Sequence, residues 1–156
     1  MWGTPEQIAK WKSADEIAIY KQSLLYKLVQ SIKEFQPSRE YSLELGYHSE
    51  LTGWLKHEFP NLKVEEQTGA SRPDIVVEDI AIEVKGPTDD AALNTVATKC
   101  LKYSQHYKNI IFVLFQPTFS ERNFKEIAVG IDNTHPNVIL LRKDGKKTQE
   151  YRSLKI

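Results

Sequence analysis

The hydrophobic pattern of the chain changes period several times, and each change marks an element. Ile75-Val76-Val77 and Ile80-Ala81-Ile82, the latter continuing to Val84, are apolar runs rich in β-branched residues, separated by the polar pair Glu78-Asp79. Runs of this length around a two-residue polar break predict a β-hairpin. Upstream, Tyr47 opens an amphipathic segment that reaches Phe59 and reads as a helix, followed by a strand over 62–67 and a loop over 68–72. Earlier still, Ser13-Ala14-Asp15-Glu16 has the form of a capping box, which would open a helix carrying Ile17, Tyr20, Leu24, Leu28 and Phe35 along one side until Pro37 ends it. Downstream, Leu93, Val96, Ala97, Cys100, Leu101, Ser104 and Tyr107 recur at helical spacing, with Lys99, Tyr103 and His106 as a neighbouring stripe. The apolar run from Asn109 to Phe115 predicts a buried strand reached from the hairpin by a helical crossover. A helix over 120–131 and a strand over 138–141 follow. The basic tail, carrying Arg142, Lys143, Lys146, Lys147 and Arg152 around an Asp144-Gly145 turn, reads as a solvated edge hairpin.

This succession predicts an α/β fold, a mixed sheet with helices on both faces. At 156 residues and 18.0 kDa the chain has the usual size of one domain and can bury a real core. No repeat or low-complexity tract divides it. We expect a single domain over 1–156, made of an N-terminal helical extension (1–38), a core (40–116) and a C-terminal helix with strands (117–156).

The hairpin carries the chemistry. A two-residue turn sets Val77 against Ile80, Val76 against Ala81 and Ile75 against Ile82, so that Asp74 falls opposite Glu83, with Lys85 next on the same face. Like charges so opposed are destabilising unless something intervenes. A divalent cation would do so: Mg²⁺ takes oxygen ligands, commonly one or two carboxylates, and completes its shell with water and substrate phosphate. Such an ion polarises a phosphoryl oxygen and acidifies water, while a nearby ammonium orients that water or steadies charge developing on phosphorus. The alternative is an ordinary edge hairpin whose carboxylates splay into solvent, one of them neutralised by Lys85. Against it, the strands are too apolar for a solvated sheet, and Pro73 and Gly86-Pro87 bound them sharply.

Pro73-Asp74 followed by Glu83-Val84-Lys85 resembles the signature of the PD-(D/E)xK nuclease superfamily, the restriction-endonuclease-like fold, and the resemblance extends over about residues 40 to 116. The spacing is similar to that of the archaeal Holliday-junction resolvases. The resemblance implies Asp74 and Glu83 as metal ligands, the Val84 carbonyl as a third, Lys85 as the group that positions the nucleophile, and Glu50 as an auxiliary acid that also reaches the metal. Glu44 is the alternative to Glu50, since on a continuous helix it flanks the same buried stripe as Leu51. Glu50 is preferred because Gly46 is expected to interrupt the helix, and because its separation from Asp74 suits one helix, one strand and one loop. His48, beside Glu50, is also within reach of such a site. In the exonuclease branch of the superfamily a Gln and a Tyr one helical turn apart follow the E-x-K strand. Here Lys99 takes the Gln-like place ahead of Tyr103, a departure from that branch.

The activity so implied is endonucleolytic hydrolysis of DNA with Mg²⁺ or Mn²⁺, on structured or branched DNA and in repair or recombination, by a homodimer if two strands are cut together. Two alternatives stand beside it: a restriction or repair nuclease subunit that needs a larger assembly, and a protein that binds nucleic acid without cutting. The sequence leaves DNA versus RNA open.

Composition adds bounds. Lys plus Arg and Asp plus Glu are each 21, a formal net charge of +0, so no overall basic field advertises nucleic acid and local cations must serve. Arg72, Lys99, Lys102 and Tyr103 are the candidate nucleic-acid contacts, with Lys56, Lys63 and Lys108 on neighbouring elements. Phosphate contacts supply affinity without sequence preference. Cys100, the only cysteine, excludes an intrachain disulfide and reads as a small buried hydrophobe, and the four histidines lack paired ligand spacing. No apolar run approaches ~18 residues and the N-terminus lacks a signal-peptide pattern, so no membrane association and a cytoplasmic location are expected.

Overall fold

A computed structural model of the chain describes Ile19 and residues 22–64 and 72–152. Its elements run α1 (Leu24–Glu34), α2 (Glu44–Glu58), β1 (Lys63–Val64), β2 (Ile75–Val77), β3 (Ile80–Lys85), α3 (Asp90–Tyr103), β4 (Asn109–Phe115), α4 (Glu121–Thr134), β5 (Val138–Asp144) and β6 (Lys147–Arg152). The six strands form one open mixed sheet in the order β1-β2-β3-β4-β5-β6. The outer pairs β1/β2, β2/β3 and β5/β6 are antiparallel, while β3/β4 and β4/β5 are parallel. Parallel neighbours need long crossovers, which α3 and α4 supply. The hairpin register is the expected one, Ile75 against Ile82, Val76 against Ala81 and Val77 against Ile80.

The central strands read as unbroken apolar runs because they are covered on both faces. On one face Ile82, Val84, Ile111, Val113, Phe115 and Leu141 pack beneath α1 and α2 through Leu28, Ile32, Leu51 and Leu55. On the other, Ala81, Ile110, Phe112, Leu114 and Leu140 pack against α3 and α4 through Leu93, Val96, Cys100, Phe124 and Ile131. The chain therefore has the mixed α/β architecture expected, with α1 as the helix added ahead of the core.

Four details differ from expectation, each for a local reason. The N-terminal helix is not one continuous helix through Ser23: that residue is extended (φ −74°, ψ 155°) and its hydroxyl accepts the Tyr26 N–H, so α1 starts afresh after it. The capping box at Ser13 to Glu16 lies outside the described residues, as do 65–71 of the predicted strand and loop. Second, α2 begins at Glu44 and runs straight through Gly46. The glycine serves packing, since a Cβ there would stand 2.2 Å from the Tyr41 ring. Third, α3 ends at Tyr103 and buries Leu93, Val96, Cys100 and Tyr103, leaving Ala97 and Leu101 exposed. Its buried stripe is rotated to bring Tyr103 under the sheet.

Fourth, the C-terminal hairpin is not simply a solvated edge. Lys143 and Arg152 are buried, and Lys143 Nζ donates to the carbonyls of Ile32 (2.8 Å) and Lys33 (3.3 Å) and to Thr148 Oγ1 (2.8 Å). Burial pushes this ammonium down to about 8, yet its three protons match three acceptors, two of them carbonyls in the last turn of α1. We expect Lys143→Met to destabilise the fold by about 2–3 kcal/mol, because it strands those carbonyls. Equilibrium denaturation should show a lower midpoint with an unchanged slope, whereas Lys146→Met, at an exposed position, should match the wild type.

Candidate active site

Asp74 stands just before β2, with Pro73 buried behind it, and Glu83 and Lys85 alternate along β3 onto the face covered by α3. All three are buried, at 5%, 2% and 8% exposure. The two acids are strapped together across the hairpin: the Asp74 N–H donates to Glu83 Oε1 at 3.2 Å, and the Val84 N–H donates to Asp74 Oδ2 at 2.8 Å. The opposition of Asp74 and Glu83 predicted from the turn is thus present, held by backbone bonds of the hairpin.

Two residues of α3 close over Glu83. The Lys99 ammonium is ion-paired with Glu83 Oε2, and the Tyr103 hydroxyl lies 3.4 Å from Glu83 Oε1. Both were expected at a nucleic-acid surface. Tyr103 instead is 1% exposed beneath the acid, because α3 turns it inward with Cys100 and Val96, and Lys99 is engaged with Glu83. Arg72 and Lys102 are exposed, Arg72 immediately ahead of Pro73 and Lys102 on α3.

The electrostatics follow from burial. Desolvation, and then the charge of Asp74, push the Glu83 carboxyl up to about 7 against the pull of Lys99 and Lys85. Lys85 is held below the usual lysine range by burial and by the neighbouring Lys99 ammonium, although Glu44 and Glu83 pull it back. Burial works against Lys99 too, but the hydrogen bond and charge of Glu83 outweigh it and hold Lys99 above its ordinary value.

Glu44 and Glu50, the two candidate acids on this helix, have different surroundings. Because α2 starts early and Gly46 continues it, Glu44 lies at the head of the buried stripe of Tyr47, Leu51 and Leu55. There it shares the field of the site: burial raises its carboxyl, Lys85, Lys99 and His48 draw it down, and Asp74 pushes it up. Glu50 sits ~240° around the helix from Glu44. It accepts the Ser38 N–H (3.1 Å), the Ser38 hydroxyl (3.0 Å) and the Tyr41 hydroxyl (2.5 Å). Burial would raise Glu50, but these bonds outweigh it and hold the carboxyl low. His48, one turn after Glu44, brings Nε2 to 3.4 Å from the Asp74 carbonyl.

Gly86 follows Lys85 at a point of close approach. A Cβ there would meet the Tyr47 ring at 2.7 Å and Phe115 Cβ at 2.9 Å. Tyr47 stacks on Phe115 with centroids 4.7 Å apart and donates its hydroxyl to Gln116. Beyond it, at the carboxyl ends of β4 and β5, opens a cavity of about 840 Å³ lined by Arg39, Gln116, Thr118 and Lys146 among others.

No family model matches the chain, and no curated protein matches it. Among solved structures it is similar to the YaeQ protein from Xanthomonas axonopodis pv. citri (14% identity, TM-score 0.44, covering 71% of this chain and 60% of that one). It is also similar to the CdiA-CT/CdiI toxin and immunity complex from Burkholderia pseudomallei (17% identity, TM-score 0.36, covering 75% of this chain and 96% of that one). The chain thus spans about three fifths of the length of YaeQ. Both likenesses are loose, and the fold stands on the sheet order and register of this chain itself.

The donor set suits a hard cation. Among the described residues no cluster of three or more His, Cys, Asp or Glu side chains surrounds one point, but Asp74 and Glu83 form a close, buried, mutually repelling carboxylate pair. Two carboxylates with water and phosphate oxygen are enough for Mg²⁺ or Mn²⁺. Among the described residues no helix is long and apolar enough to cross a membrane.

Proposed function

We propose that the chain is a metal-dependent nuclease: an endonuclease hydrolysing phosphodiester bonds in DNA, with structured or branched DNA the first substrate to test. The observation that carries this reading is the strapped pair of Asp74 and Glu83, with buried Lys85 next to it on the same strand. Asp74 and Glu83, with the Val84 carbonyl between Glu83 and Lys85, would hold Mg²⁺ or Mn²⁺. The ion would supply polarisation of a phosphoryl oxygen and a more acidic water. Lys85, a buried donor of depressed basicity, would orient the attacking water and steady charge on phosphorus. Glu44, with its carboxyl raised and within the field of Lys85, would hold or pass a proton at the edge of the site. Arg72 and Lys102 would meet phosphates flanking the scissile one, with salt-dependent and sequence-independent affinity. Cutting two strands together would call for a homodimer or a larger assembly.

A second reading, a binding protein that does not cut, is favoured by one contact: Lys99 already neutralises Glu83 from within the chain. A labelled panel of linear duplex, single-strand, flap and four-way-junction DNA and of RNA, incubated with Mg²⁺ or Mn²⁺, separates the two. Ion-dependent cutting supports the nuclease and identifies its substrate. Salt-dependent binding that needs neither ion, with every substrate left intact, would replace it with the binding protein.

The elevated Glu83 pKa adds a pH signature. Its folded value, about 7, lies above the ordinary 4.5, so the stability it contributes is fully present below 4.5 and is lost as pH rises through 7. Protons compete with metal over the same window. The rise in melting temperature on adding Mn²⁺ should therefore be small near pH 5 and grow through neutrality, and Asp74→Ala should abolish it. A metal response that is flat with pH would count against Glu83 as a ligand.

A further inference from the structure

We infer that Lys99 is an exchangeable internal counter-ion of the carboxylate pair: a divalent cation enters by displacing the Lys99 ammonium from Glu83, and the freed side chain turns outward toward substrate phosphate. The inference rests on the reading of Asp74 and Glu83 as a metal site.

The bonds around the pair are specific. Glu83 Oε1 faces the Asp74 N–H at 3.2 Å and the Tyr103 hydroxyl at 3.4 Å, and Asp74 Oδ2 takes the Val84 N–H at 2.8 Å. These partners belong to the hairpin backbone or to a fully buried ring, and none can leave without unmaking the sheet or the core. Glu83 Oε2 is different. Its partner is the Lys99 ammonium, at the end of a flexible four-carbon stem on the half-buried side of α3, with 25% of the side chain exposed. The displaceable bond on Glu83 is therefore the one to Lys99.

Charge argues the same way. Lys99 and Lys85 are close enough for each to affect the other, and both lie in the field of Glu83. A dication delivered to Glu83 would meet two ammonium groups. Lys85 is 8% exposed on β3, whereas the Lys99 side chain is 25% exposed, so Lys99 is the one better placed to move. Its departure removes one positive charge as two arrive and leaves an ammonium at the rim, where a phosphate would meet it. No covalent step is involved.

Breaking a charge-assisted hydrogen bond at every binding event weakens apparent metal affinity by about tenfold. Lys99→Gln, which keeps a polar side chain without the charge, should therefore bind Mn²⁺ about tenfold more tightly than the wild type. Lys99→Arg, which retains a counter-ion, should stay near the wild-type affinity, and so should Lys102→Gln, a control for loss of positive charge elsewhere on α3. Calorimetric titration of EDTA-treated protein reads these affinities without reference to cleavage. A second readout needs no variant: the Lys99 amine should become more reactive to acetylation, followed by mass spectrometry, when Mn²⁺ is added to the wild type. Tighter binding by Lys99→Gln together with increased Lys99 labelling supports the exchange. If the wild type binds Mn²⁺ and Asp74→Ala does not, yet Lys99→Gln binds no more tightly and Lys99 labelling is unchanged, the exchange is wrong and the metal site stands. If neither the wild type nor Lys99→Gln binds Mn²⁺, both the exchange and the metal site fall.

Discussion

Glu83→Gln is expected to lower ion-dependent phosphodiester cleavage by about 10³-fold or more while leaving the protein at least as stable as the wild type above neutral pH. Loss of a charged ligand or of a group acting directly on the reacting atoms ordinarily costs this much. The stability half of the prediction comes from the site itself. Burial and Asp74 hold the Glu83 carboxyl up at about 7, so above that pH the folded protein carries an anion its surroundings disfavour. A glutamine fits the same space, and its carbonyl can still accept the Asp74 N–H that Glu83 Oε1 accepts. Lys99 loses its partner, but at 25% exposure it can turn to water. Lys85→Ala should match the loss of cleavage, since its ammonium is the other buried charge beside the pair. Cleavage rates on the best substrate of the panel, with thermal melts of the same preparations above neutral pH, test both halves. Full cleavage by Glu83→Gln would refute the catalytic reading. A large fall in its melting temperature would instead make Glu83 a structural acid, with Lys99 as its permanent partner.

The parts of this arrangement that could be read from sequence are those governed by local rules. A two-residue turn between apolar runs leaves one hairpin register, and Asp74, Glu83 and Lys85 followed from counting outward along it. The parallel centre of the sheet was legible because strands covered on both faces must be apolar throughout, as Asn109–Phe115 is. Legibility failed where tertiary contacts overrode local signals. Gly46 looks like a helix breaker until the Tyr41 ring occupies the space its side chain would need. Tyr103 and Lys99 share a helical stripe, but only the rotation of α3 on the sheet decides that the stripe meets Glu83 rather than solvent. Lys143 is one cation in a basic tail by sequence, and nothing near it in the chain indicates that it meets the last turn of α1, at Ile32, 111 residues away. The signal for Glu44 was present, since it is in phase with Leu51. Gly46 as a helix breaker and the separation of Glu50 from Asp74 both point the other way in the sequence, and only the continuous α2 brings Glu44 into the field of the pair.

The different surroundings of Glu44 and Glu50 set the second large effect expected. Glu44→Gln should reduce cleavage by about 10–100-fold, the usual cost of losing a group that supports a metal site without being its main ligand, and Glu50→Gln should leave cleavage at the wild-type level. The two residues belong to one helix, yet only Glu44 lies in the field of Lys85, Asp74, Lys99 and His48. Glu50 is tied to Ser38 and Tyr41 in the segment ahead of the helix. Its loss should therefore appear in stability, at most about 1 kcal/mol because the cluster is largely open to water. The pH profile separates a proton-handling role for Glu44 from one of simple charge. Burial raises its carboxyl above the ordinary carboxylate value, so the wild-type profile should carry an acidic limb that shifts or disappears in Glu44→Gln. A uniform drop at all pH values would reduce Glu44 to an electrostatic support for Lys85. Loss of cleavage in Glu50→Gln with Glu44→Gln unaffected would reverse the assignment, and would require α2 to turn when substrate binds, bringing Glu50 round to the face that Glu44 now occupies.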